Sequence, residues 1–95
     1  MSKTMAVVPT DHAWKYIQQL CKHWSHKLTV DLSDNKGIVS FDNATAVMTS
    51  DEKALTVIIE APSDEVLERL KGVVSSHLDR FAFREAPLPF AWQDA

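Results

Sequence analysis

Apolar positions along this chain recur with two periods, and the places where the period changes mark its elements. Ala13, Trp14, Ile17, Leu20, Cys21, Trp24 and Leu28 follow one another at three-and-four spacing, the signature of an amphipathic helix. Thr10 and Asp11, just ahead of it, offer side-chain oxygens for an N-cap. The preceding apolar run at residues 4–8, stopped by Pro9, has the size of a first or edge strand. On the helix, His12, Lys15, Gln18, Lys22 and Ser25 take the side away from the core. Tyr16, His23 and Lys27 run along one border of the apolar stripe, and His26 lies one turn from Lys22.

From residue 28 the period drops to two. Leu28, Val30 and Leu32 alternate with Thr29 and Asp31, predicting one buried and one exposed face. Strands follow at 38–41, 45–49 and 55–60, separated by turn-forming stretches at 33–37, 42–43 and 50–53. Connections this short predict an antiparallel meander. Leu55, Val57 and Ile59 would face the helices, leaving Thr56, Ile58 and Glu60 on the other side. Ser63 then caps a second helix with Asp64 and Glu65 in its first turn, where the dipole favours negative charge. Its stripe is Val66, Leu67, Leu70, Val73, Val74, Leu78 and Phe81, with His77 inside it. Pro87 and Pro89 stop the helix, and residues 90–92 fit a short edge strand or extended tail.

The order β-α-β-β-β-β-α(-β) predicts an α+β two-layer sandwich, with both helices on one face of a mostly antiparallel sheet. The arrangement resembles TATA-binding-protein-like folds, including the C-terminal domain of phosphohexomutases, an analogy of fold that carries no function. Ninety-five residues amount to a single domain, 1–95, with no room for a separate cofactor-binding module. The composition, 45% hydrophobic and 24% charged with two glycines, is that of an ordered globular chain.

A net charge of -3 argues against broad attraction to nucleic acid or an anionic membrane, so any anion site must be local. A sheet face bearing Asp31, Asp42 and Glu60 is likewise no phosphate-tracking surface. The single cysteine, Cys21, sits inside the helical stripe and reads as a small buried hydrophobe, consistent with a reducing compartment. No apolar run approaches a membrane span, and residues 1–8 do not form a signal peptide, so a cytoplasmic location is expected.

Candidate chemistry concentrates in residues 21–27, where Lys22, His23, His26 and Lys27 crowd one turn, and in residues 77–85 near the other end. If the two helices pack side by side, His23, His26, Lys27, His77, Arg80 and Arg84 can form a cationic pocket for an anion. The fork of Arg84 suits a carboxylate or phosphate. A metal is the alternative ligand. His23 and His26 stand at i and i+3 and His77 could add a third imidazole, but no ExxH or HExxH pattern is present and Lys22 and Lys27 would repel a cation. The plainer readings are a core His77 bonded to backbone carbonyls or to Tyr16, and Arg80, Arg84 and Glu85 closing a helix end. Catalysis has little support: Cys21 is in the stripe, and there is neither a nucleophile elbow nor a glycine-rich phosphate loop. Trp14, Trp24 and Trp92 with Phe81, Phe83 and Phe90 could line an apolar pocket, although core packing accounts for most of them.

Residues 20–27, 37–41 and 73–85, with the closing Trp92, give the chain a resemblance to the DUF2218 family of small bacterial proteins, spanning nearly its whole length. Similar domains are associated with siderophore-interacting proteins, flavin-containing ferric-siderophore reductases. The resemblance therefore implies iron uptake as a lead, an iron chelate as ligand, and a separate reductase partner, since this chain has no flavin or nicotinamide domain. Two readings come out of the sequence: a non-catalytic binding or accessory domain for an anionic small molecule or iron chelate, and a structural module that forms a homodimer through its open sheet face. A metal-dependent enzyme is the third.

Overall fold

The computed structural model describes residues 2–41, 43–85 and 88–94. Its elements are β1 (Ser2–Pro9), α1 (Ala13–Trp24), β2 (Thr29–Ser33), β3 (Lys36–Ser40), β4 (Thr45–Ser50), β5 (Ala54–Ala61), α2 (Asp64–Phe81) and β6 (Gln93–Asp94). The strands form one six-stranded sheet in the order β2-β3-β4-β5-β1-β6, with every pairing antiparallel. Both helices cover the same face, giving the two-layer α+β sandwich that the element order predicts.

Alternation puts Ala6 and Val8 of β1, Val39 of β3, Ala46 and Met48 of β4, and Leu55, Val57, Ile59 and Ala61 of β5 beneath the helices. From above, α1 contributes Ala13, Tyr16, Ile17, Leu20, Cys21 and Trp24, and α2 contributes Leu67, Leu70, Val74 and Leu78. These side chains are almost wholly removed from water, and all of them but Ala6 form one contiguous core. Gly37 lets β3 approach α1. A methyl built on it would lie 2.7 Å from Cys21 Sγ and 2.9 Å from Ile17 Cγ2, closer than packed atoms come.

Three local expectations need correction, and a fourth, for the C-terminal segment, is decided between its two alternatives. Helix α1 stops at Trp24 rather than running to Leu28: the Lys27 amide reaches the Trp24 carbonyl three residues back instead of four, tightening the chain into a turn that the Leu28 amide closes on the same carbonyl. Its N-cap position is His12, and no side chain caps it; Thr10 instead accepts the His12 amide at 3.1 Å. Strand β2 is an edge strand with little burial: Val30 is half-covered, and Leu32, 46% exposed, hangs over the rim of the core. At the other edge the last strand is Gln93–Asp94, held where the buried Thr4 hydroxyl donates to the Gln93 carbonyl at 2.9 Å. Phe90 and Trp92 stack on each other, centroids 5.4 Å apart, and pack against the core in place of a strand. The expected turn residue Asp42 lies outside the described residues, whereas Asn35 closes the β2–β3 hairpin with φ of 60°.

Candidate functional site

The helices run in opposite directions: Tyr16 of α1 meets Glu85 beyond the end of α2, and two turns further along α1 His23 meets His77 and Phe81. The seam between them therefore carries two polar groups in sequence, with Phe81 standing between.

The first group is a histidine–aromatic cluster. The rings of His23 and His77 lie 5.6 Å apart, His23 meets Phe81 edge-on at 5.9 Å, and His77 is 5.1 Å from Trp24. His77 is half-buried, with Nδ1 2.7 Å from the Val73 carbonyl one turn back. A carbonyl can only accept, so Nδ1 is the donor in this contact. Tyr16 is not its partner. His26 and Lys27 are exposed in the turn after α1, and Arg80 is exposed on α2. Among the described residues no hydrogen bond or ion pair joins the side chains of these three to any other. Nor do three or more His, Cys, Asp or Glu side chains converge among the described residues, so His23 and His77 offer a metal at most a pair of imidazoles.

The second group surrounds Glu85. The Tyr16 hydroxyl donates to Glu85 Oε2, and the Thr10 hydroxyl donates to the same carboxylate at 2.9 to 3.0 Å. Two donors hold the carboxyl of Glu85 below the usual glutamate range, the Tyr16 hydrogen bond being the larger cause. The phenol is pushed up to about 12, by burial first and then by the adjoining carboxylate. Tyr16 is only 4% exposed, so this bond closes the core under the end of α2. Beside it opens a cleft of about 290 Å³ lined by His12, Lys15, Tyr16, Phe81, Phe83, Arg84 and Glu85. Arg84 lies over the Phe83 ring, 5.8 Å from its centroid, and Phe83 is 71% exposed.

Of the residues read from the sequence, then, His23 and His77 come together, Arg84 joins a neighbouring cleft beside Lys15, and His26, Lys27 and Arg80 stand apart from them on the surface. Sequence reasoning missed Lys15, Tyr16, Thr10 and Phe83 as members of one site. The available signal was Tyr16, a hydroxyl on the border of an apolar stripe, which needs a polar partner once buried. Nothing in a linear pattern brings Thr10 to Glu85.

The sequence profile of a bacterial family, described as "Uncharacterized protein conserved in bacteria (DUF2218)", matches residues 5–93. The chain belongs to the DUF2218 family. No curated protein matches it. The NMR structure of PA4090 from Pseudomonas aeruginosa is similar to it, with a TM-score of 0.85 and 31% sequence identity over 98% of this chain and 96% of that one. The DUF2218 match takes in both helices and the whole of the Tyr16–Glu85 cleft. Among the described residues no helix is long and apolar enough to cross a membrane.

Proposed function

We propose that this domain is a non-catalytic binding module whose cleft between the start of α1 and the end of α2 takes a small aromatic anion. The observation that carries the reading is the pairing, in one cleft of about 290 Å³, of two cations, Lys15 and Arg84, with two phenylalanines, Phe81 and Phe83. A dry cavity of about 150 Å³ suffices for benzene, so there is space here for one substituted ring. Lys15 and Arg84 supply donors for a carboxylate or phenolate, and Phe81 and Phe83 supply the faces against which its ring stacks. Glu85 contributes negative charge, but both of its oxygens already accept hydrogen bonds from Tyr16 and Thr10. The cleft thus has two cations against one occupied anion, within a chain of net charge -3.

The clamp anticipated from the sequence is redrawn by this reading. Arg84 acts with Lys15 in place of Lys27, and His23 supports Phe81 edge-on with His77 behind His23 in turn, with His26 and Arg80 left to steer the anion from outside. An iron chelate enters as a ligand through one of its rings, since a ferric complex of several catecholates is larger than the cleft. The resemblance to domains associated with siderophore-interacting proteins makes catecholates the first compounds to try, with a separate reductase partner as the corollary.

Titration of the protein with benzoate, salicylate and 2,3-dihydroxybenzoate, followed by calorimetry and amide chemical shifts, tests the proposal. Saturable binding with shifts around residues 12–16 and 81–85 is expected. Arg84→Ala should weaken it about tenfold, the value of one partly solvated charged hydrogen bond, and His77→Ala should weaken it less. Absence of saturable binding by all three compounds, or equal binding by Arg84→Ala and Lys15→Ala, would refute the reading.

A further inference from the structure

The face of the sheet turned away from the helices has an order that the cleft does not explain. Following the strand register across it, the central row reads Asp31, Ile38, Val47, Ile58, Met5, Gln93, from β2 to β6. Four neighbouring strands thus present four aliphatic side chains in one line, each partly open to solvent. One flanking row reads Thr29, Ser40, Thr45, Glu60, Lys3, and the other Ser33, Lys36, Thr49, Thr56, Val7, with Val7 48% exposed. Polar edges around an apolar strip are the anatomy of an interface.

We propose that a second copy of this chain covers this face, related by a two-fold axis that lies along the strands between β4 and β5. That symmetry exchanges β4 with β5, β3 with β1 and β2 with β6, so the register itself states what meets what. Val47 faces Ile58 of the second copy, and Ile38 faces its Met5, which makes the central strip apolar on apolar throughout. Asp31 faces Gln93, Glu60 faces Thr45, Lys3 faces Ser40 and Thr49 faces Thr56. Lys36 faces Val7 at the rim, where its stem covers the valine and its ammonium stays in water. Every charge meets a neutral group, and no like charges oppose. A two-fold axis across the strands instead would set each central residue against its own copy and bring Asp31 onto Asp31. Self-complementarity of this kind selects another copy over an unrelated partner.

Six strands about 4.8 Å apart and three rows of side chains cover on the order of 500 Å² per copy. Both copies together bury about 1,000 Å², the size of a weak, transient contact and well short of an obligate homodimer, so the dimer dissociates on dilution. Because each copy carries a net charge of -3, screening strengthens the association: its dependence on salt is opposite to that of an ion-paired contact.

Sedimentation equilibrium of the full chain from about 5 to 500 μM, at low and high salt, is the test, this span covering micromolar dissociation constants. The expected result is a monomer–dimer equilibrium that tightens with salt. Ile58→Asp should abolish it, and Thr49→Lys, a milder change at the same face, should weaken it at least tenfold while leaving the helical circular dichroism intact. Mixing Val47→Cys chains with Ile58→Cys chains should give a disulfide-linked pair in greater yield than Val47→Cys alone. A monomer throughout the range, a folded Ile58→Asp or Thr49→Lys variant that still dimerises fully, or preferential linking of Val47→Cys to itself would overturn the proposal. The helix-side cleft is on the opposite layer, so failure of either proposal leaves the other standing.

Discussion

Two residues separate what a glycine does in a close contact from what it does in open helix. Gly37→Ala forces a methyl against Cys21 Sγ and Ile17 Cγ2, and Ile17 is β-branched and cannot swing away. The expected cost is about 1–3 kcal/mol in urea unfolding. Combining it with Cys21→Ala should cost less than the sum of the two single changes, because the shortest contact is gone. Gly72, on the exposed side of α2, has no atom within 4 Å of the place where a methyl would go, so Gly72→Ala should raise stability by about 1 kcal/mol. The Tyr16–Glu85 bond gives two titrations of opposite sense. The depressed carboxyl of Glu85 contributes stability above its unfolded value, and this is lost as the pH falls through the folded one. Acid unfolding of wild type should therefore be steeper below about pH 4 than that of Glu85→Gln. The raised phenol of Tyr16 contributes fully below pH 10, and its contribution is lost as the pH rises towards about 12. Over that alkaline window wild type should lose more stability than Tyr16→Phe, as denaturant midpoints at fixed pH would show.

At the scale of elements, the two helices are begun by different means. Ser63 caps α2, its hydroxyl accepting the Val66 amide at 3.3 Å, with Asp64 and Glu65 in the first turn. Ser63→Ala should cost about 1 kcal/mol, measured by thermal or urea unfolding. Helix α1 has neither a side-chain cap nor an acidic first turn. Thr10, one of the two capping residues the sequence offers, spends its hydroxyl hydrogen on Glu85. Thr10→Val should therefore disturb both the entry to α1 and the seam with α2, and amide exchange should quicken at residues 12–16 and 82–85 together. Were only the α1 amides affected, the tie through Glu85 would carry no stability. The C-terminal segment is another tie between distant elements: Asp79 of α2 accepts the Leu88 amide at 2.9 Å, and Thr4 holds Gln93.

Over the whole molecule the two layers divide the work. The helix layer holds the cleft and the histidine cluster, and the sheet layer presents an apolar central row between polar flanks on its outer face. Both are small features on a domain whose core takes up most of its large apolar side chains, as a 95-residue chain requires. The element order and the α+β class were legible because helix and strand periods differ and because tight turns leave a meander little choice of partner. Likewise legible were the inward set of β5, the burial of Cys21 and the Ser63 cap, all of which depend on spacing within one element.

Decisions that depend on two distant segments were out of reach of a linear reading. Whether an alternating strand is deeply buried depends on its place in the sheet, and β2, with a regular pattern, falls at the edge. The sequence offers His23 and His77 to one pocket, but the pairing of Tyr16 with Glu85 and the separation of His26, Lys27 and Arg80 depend on the direction and offset of the helices, which their apolar stripes leave free to slide by a turn. A one-turn slide moves a polar group by about 5.4 Å, enough to exchange every partner along the seam. Composition and periodicity by themselves thus determined the layers and most of the core, since burial of an apolar stripe tolerates such slides. Only the folded packing decided which cations, rings and carboxylates share a cleft, since hydrogen bonds and charge pairs have ranges of a few ångströms and do not.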